Sequence, residues 1–159
     1  MEFQKPQLCR VFEERKDASK FGNPRYGIQK KHDGWRLQVD DDKIWTGRNG
    51  TTRVIPFLKD IVPYGTRIDG EITDIEEKLT ASEVTHLISN ESEHHKLKAK
   101  IFDVTHVNGN FLSKVSLANR DKILNDIFNK HLRSCGRIEL SEWLPNTDKL
   151  FLDEENNLS

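Results

Sequence analysis

The chain has 159 residues, with 25 Lys and Arg against 26 Asp and Glu, a net charge of −1, and 35% hydrophobic residues. That suits one soluble globular domain with its own core, and the near-neutral charge excludes a protein that coats nucleic acid nonspecifically. No apolar run approaches the roughly 20 residues of a membrane helix, and Met1 to Pro6 lack the apolar stretch of a secretory signal, so a cytoplasmic location is expected.

Leu8, Val11 and Phe12 predict a short helix, closed by the loop signal Phe21-Gly22-Asn23-Pro24. Residues 26–31 and 35–39 read as strands on either side of Asp33-Gly34, a hairpin signal because glycine accepts positive φ. Asp40-Asp41-Asp42 reads as a solvated turn, and 43–47 as a third strand completing a meander. Arg48-Asn49-Gly50 breaks that strand. Val54, Ile55, Leu58, Ile61 and Val62 then predict a helix over 51–62, with Pro56 in its first turn. Residues 67–74 alternate as a strand. Thr80-Ala81-Ser82-Glu83 has capping-box spacing ahead of a helix through Val84, Leu87 and Ile88. Residues 90–96 read as loop, 98–105 as strand, and Val107-Asn108-Gly109-Asn110 as a turn. Ser116 caps a helix carrying Ile123, Leu124, Ile127, Phe128 and His131, which Cys135-Gly136 stops. Residues 137–143 predict a last strand, followed by an acidic tail. Strands interspersed with helices define an α+β class, an antiparallel β-sheet with packed helices.

Cys9 and Cys135 lack Cys-x-x-Cys spacing and read as free thiols. His94-His95 are adjacent, diverge on a helix, and read as solvated rather than zinc-binding. Basic residues gather early, at Lys30, Lys31, Arg36, Arg48 and Arg53, and acidic ones later, at Glu76-Glu77 and 153–155. In the predicted hairpin Gln29 and Lys31 share one strand face, and Ile28 and Lys30 the other. An amide and an amine aimed into one space suit a nucleotide pocket; the same pattern suits a surface hairpin with solvated lysines. Trp35 and Trp45 read as sheet packing.

Lys31-His32-Asp33-Gly34-Trp35-Arg36 resembles the Lys-x-Asp-Gly-x-Arg first motif of the covalent nucleotidyltransferases: ATP-dependent DNA ligases, RNA ligases and mRNA capping enzymes. Arg48-Asn49-Gly50 resembles the arginine-bearing turn that follows, and Asp69-Gly70-Glu71 the third motif. Ile101-Phe102-Asp103-Val104 is most similar to the DNA ligase form of the next, aromatic-bearing strand. The motifs keep the family's order, and the likeness runs from about Pro6 to the C-terminus.

The resemblance implies a nucleotidyltransferase (ATP-grasp-like) adenylation domain over 1–159, of the compact phage or viral DNA ligase type. Lys31 would be the nucleophile that takes AMP from ATP, acting as the neutral amine. Gln29 matches the position that reads the adenine edge, and an amide both donates and accepts there. Arg36 and Arg48 match the arginines on ribose and phosphates, where a planar fork binds oxygens in pairs. Glu71 matches the acid that contacts ribose and helps hold Mg²⁺, with Asp69 on the same strand face able to share the cation. Phe102 matches the ring that stacks on adenine. The implied partners are ATP and AMP, Mg²⁺ and nicked duplex DNA, with the chain a monomer. The fourth motif, a Glu-Gly step, and the fifth, Lys-x-Lys, are expected after the last strand and are not found, nor is the C-terminal OB-fold, so a truncated ligase is expected. Lys98-Ala99-Lys100 has the fifth motif's spacing but precedes Phe102. An RNA ligase, a capping guanylyltransferase and a non-catalytic nucleotide- or DNA-binding remnant are the alternatives.

Overall fold

The computed structural model describes residues 1–6, 18–20 and 22–146. The predicted helix near Leu8, Cys9 and the acidic tail lie outside the described residues. The elements in chain order are β1 (Ile28–Gln29), β2 (Trp35–Asp40), β3 (Ile44–Thr46), β4 (Thr51–Thr52), β5 (Arg67–Asp74), α1 (Ala81–Ser89), β6 (Leu97–Val107), β7 (Asn110–Phe111), α2 (Leu117–Ile127), β8 (Ile138–Leu140) and β9 (Trp143–Leu144). They divide between two compact units, Met1–Pro6 with His32–Leu140, and Gln7–Lys31 with Ser141–Ser159.

The first unit is one sheet in the order β4-β3-β2-β5-β6-β7, antiparallel throughout, with β8 added parallel to β6. The α+β class holds, with that one parallel pair as its exception. Alternation gives the sheet two unlike faces. Leu37, Val39, Ile68, Ile72, Ala99, Ile101 and Val104 point to the core, where α1 brings Val84 and Ile88 and α2 brings Leu124 and Ile127. Each of the larger side chains contributes about 1.5–3 kcal/mol by leaving water, and Ala99 less. Thr80 caps α1 by accepting from Glu83 N at 3.3 Å, and Ser116 caps α2 by accepting from Asn119 N at 3.3 Å. A wider π-turn, Phe128–Leu132, extends α2 and delivers Leu132 to the core.

The opposite face carries Arg36, Gln38 and Asp40 on β2, and Arg67, Asp69 and Glu71 on β5. Met1 to Gln4 run along it. Arg67 Nη2 donates to Glu2 O at 2.5 Å, and Gln38 Nε2 to Gln4 O at 3.1 Å. The Arg67 guanidinium lies 4.5 Å from the Trp45 ring centroid. The second unit holds the β1–β9 ribbon, with Ile28 opposite Leu144 and Gln29 opposite Trp143.

Several sequence expectations change. Asp33-Gly34 does not turn a hairpin: β1 pairs with β9, while β2 pairs with β3 and β5. Gly34 has no positive φ; its role is close approach, since a Cβ there would lie 2.2 Å from Ile72 O. The helix over 51–62 is instead β4, then a single 3₁₀ turn at Pro56–Leu58. Val54 is 71% exposed, so the apolar stripe is not continuous. Residues Glu91–Lys96 form a 3₁₀ turn rather than loop. There His94 is buried, with Nε2 2.8 Å from Ile88 O, while His95 is exposed. The last strand splits into β8 and β9, which join different sheets. Asp40 is buried, not solvated: Oδ1 accepts from Asp42 N at 2.8 Å and Lys43 N at 2.7 Å, and Oδ2 from Arg67 at 3.3 Å. No helix among the described residues is long and apolar enough to cross a membrane.

Gly34→Ala should destabilise the chain by about 1–3 kcal/mol, because backbone rather than a flexible side chain meets the new methyl. Urea unfolding would show a lower midpoint at unchanged slope; an unaltered midpoint would mean β5 gives way freely.

Candidate functional site

Three expected site residues of the first unit meet on the polar face of the sheet. Arg36 Nε donates to Asp69 Oδ1 at 2.7 Å and Nη2 to Oδ2 at 2.5 Å, a two-pronged contact across the β2–β5 ladder. The guanidinium lies 5.0 Å from the Phe102 ring centroid. Phe102 reaches this position through a break in alternation. Ile101 and Val104 both join the core cluster although three apart, whereas on a regular strand they would point to opposite faces. Asp69 pairs with Asp103 but Gly70 with Ile101, so Phe102 is the extra residue of a β-bulge. Gly70 permits the approach, since a Cβ there would lie 2.4 Å from Lys100 O.

Glu71 Oε1 accepts from Gly34 N at 3.3 Å, tying the third motif to the first. Arg48 is exposed in a turn whose ends, Gly47 and Gly50, take φ of +77° and +70°. Asp103 accepts from Arg120 Nε at 2.8 Å and Nη2 at 3.1 Å, which ties the start of α2 to the strand beside Phe102.

A second charged group occupies the same unit. Glu77 Oε1 accepts from His32 Nδ1 at 2.9 Å, and Oε2 from Lys98 Nζ at 3.2 Å, with Lys100 Nζ at 3.9 Å. Glu139 pairs with Lys100 and lies 3.7 Å from Lys98. The two lysines of Lys98-Ala99-Lys100 are therefore engaged by carboxylates. Burial works to raise the Glu77 carboxyl, but Lys98, Lys100 and His32 together hold it below the ordinary glutamate range. Lys100 above all lowers that of Glu139. Burial raises the Asp69 carboxyl, and Arg36 offsets only part of that rise.

In the second unit, Gln29 Nε2 donates to Ser141 O at 3.4 Å, and Lys31 and Lys30 are exposed. The Trp143 ring lies against Gly27, where a Cβ would come within 2.5 Å of it. Asn146 organises the loop before β1. Its Oδ1 accepts from Gly22 N at 2.9 Å, and its Nδ2 reaches the carbonyls of Lys20, Asn23 and Tyr26 at 2.8–3.0 Å. Asn146, Glu77, Arg120 and Glu139 carry no sequence signal of these roles. Glu77 sits in an acidic run that reads as solvating, and Asn146 in a polar stretch.

The class is a ligase-type adenylation domain, shown by the match of a family model over most of the chain. The family described as "ATP dependent DNA ligase domain" matches residues 6–151, and the chain belongs to it. By structure the chain is similar to the Chlorella virus DNA ligase-adenylate, with TM-score 0.63 and 17% identity, covering 96% of this chain and 54% of that one. It is also similar to a Lig E DNA ligase, with TM-score 0.61 and 18% identity, covering 82% and 49%. At such identities the likeness shows the fold, and the chain spans about half the length of these ligases. A comparison with curated proteins finds no match.

The charges around Glu77 set a pH dependence. A carboxyl lowered in the folded state stabilises the fold fully above its ordinary value and loses that contribution as pH falls toward the folded value. Acid should therefore lower the thermal midpoint of the wild type more steeply than that of a Glu77→Gln, Glu139→Gln double variant. Thermal melts across the acidic range check this, and parallel curves would contradict it.

Proposed function

We propose that this chain carries out the nucleotide-attachment step of an ATP-dependent DNA ligase, with residues 1–159 as the N-terminal part of its adenylation domain. The observation supporting this most directly is the bulge that turns Phe102 toward Arg36 while Asp69 holds the guanidinium. An aromatic face, a fixed guanidinium and the neighbouring Glu71 suit a base, a phosphate-ribose edge and a sugar hydroxyl in turn.

The Lys31 amine, deprotonated, attacks the α-phosphorus of ATP. A nitrogen–phosphorus bond forms, the bond to the bridging oxygen breaks, pyrophosphate leaves, and the amine's proton passes to solvent. Gln29 reads the adenine edge, Arg36 and Arg48 hold ribose and phosphate oxygens, and Phe102 stacks on the base. AMP then moves to the 5′-phosphate of nicked duplex DNA, and the 3′-hydroxyl displaces it as the nick closes. The chain acts as a monomer.

Mg²⁺ takes few protein ligands and keeps water and phosphate oxygens for the rest. Among the described residues no group of three or more His, Cys, Asp or Glu side chains is placed to hold a metal. A single carboxylate beside bound phosphates fits that preference, and Glu71 would supply it. Each Asp69 oxygen accepts once from Arg36, so any share in the ion would fall to the second lone pair of an oxygen already engaged. When bound, the ion offsets phosphate charge.

Incubation with α-labelled ATP and Mg²⁺ tests the reading. The wild type should take an acid-labile, hydroxylamine-sensitive label, and Lys31→Ala none at an unchanged melting midpoint. A wild type without label, or labelled from GTP instead of ATP, would refute it. Arg48→Ala should label about 10- to 100-fold more weakly with its fold intact, the loss expected for a hydrogen bond to a charged group; an unchanged yield would remove Arg48 from the site. Glu71→Ala should lose the Mg²⁺-dependent reaction at nearly unchanged stability, and an unfolded variant would mark Glu71 as structural.

A further inference from the structure

The backbone that follows Lys31 is held at two points, and one of them, His32 on Glu77, has no part in the proposed chemistry. His32, its side chain only 7% exposed, donates from Nδ1 to Glu77 at 2.9 Å. Two residues on, Gly34 lies flush against β5 and donates to Glu71. Glu77 is placed for this at a cost. Its φ is +54°, in the left-handed region that a side chain disfavours. Asp74 maintains the strained turn. Its backbone oxygen accepts from Glu77 N at 3.1 Å, and its carboxylate accepts from Lys78 N at 3.2 Å and Leu79 N at 3.1 Å. Lys98 and Lys100 fix the remaining Glu77 oxygen. The preceding Glu76 shows the contrast: it pairs with Lys78 at the surface and is 68% exposed.

We infer that Glu77 is a positioning residue, which anchors the backbone one residue after Lys31 and so limits how far the amine can wander. This rests on Lys31 being the nucleophile. Glu77 and Glu139 together balance Lys98 and Lys100, and that balance engages one Glu77 oxygen; the left-handed backbone and the contact of the other oxygen with His32 are not needed for it. Strain of this kind persists where the surroundings over-determine it, as they do around Glu77.

The test compares the full chain with Glu77→Ala, His32→Ala and Glu139→Gln, by amide hydrogen exchange and by labelling from α-labelled ATP with Mg²⁺. Glu77→Ala and His32→Ala, which remove opposite ends of one contact, should each lose exchange protection at residues 32–34 while α1 and α2 keep theirs. Their labelling rate at saturating ATP should fall about 10- to 100-fold, as expected for a misplaced reacting group, with the half-saturating concentration unchanged. Glu139→Gln, which touches the lysines but not His32, should do neither. Wild-type protection at 32–34 in Glu77→Ala overturns the inference whatever the label shows. Equal loss in Glu139→Gln overturns it too, by assigning the effect to the lysine pair. A wild type that takes no label refutes the proposed function instead, and the exchange comparison still decides whether Glu77 anchors the segment.

Discussion

Arg36 and Asp69 meet on the polar face of the β2–β5 ladder, and the arrangement around them depends on that contact. Both side chains are largely buried, at 16% and 7% exposure, so each charge has given up water for the other. Removing one partner of such a pair typically costs about 3–5 kcal/mol, because the remaining charge is left uncompensated. The fork geometry also fixes the plane of the guanidinium, which a lysine in its place would not do. The guanidinium so held lies over the Phe102 ring. The contact therefore specifies orientation more than it adds stability.

The sheet accommodates this through two glycines that serve distance rather than dihedral freedom. Gly34 lets β2 begin against the backbone of Ile72, and Gly70 lets β5 close on the carbonyl of Lys100 beside the bulge. With both sides of β5 drawn in, its outward carboxylates have fixed positions relative to their neighbours. Asp69 faces the guanidinium, and Glu71 faces the backbone N–H of Gly34. The glycines of two separate motifs thus share one physical role.

Charge behaves differently in the fold than along the chain. Asp40 belongs to a run of three acids that reads as a solvated turn, and Glu77 to a run of two that reads as a solvated face. In each run one member is turned inward to serve basic side chains or backbone N–H groups while its neighbours stay in water. His94 and His95 divide the same way. Composition shows that such residues can be solvated, and only their non-local partners decide which one is not.

What the sequence determined by itself was local. The alternation of Arg67–Asp74, the capped helices Ala81–Ser89 and Leu117–Ile127, and the order of the motif residues all follow from interactions within a few positions along the chain. What only the tertiary structure decided was which strand pairs with which, and in what register. Ile28–Gln29 finds Trp143–Leu144 instead of the strand beyond Asp33-Gly34, residues 137–143 divide between two sheets, and one extra residue in β6 aims Phe102. The reason is that a strand's hydrogen bonds go to a partner distant in sequence. Its own alternation names two faces but neither the neighbour nor the point where alternation breaks.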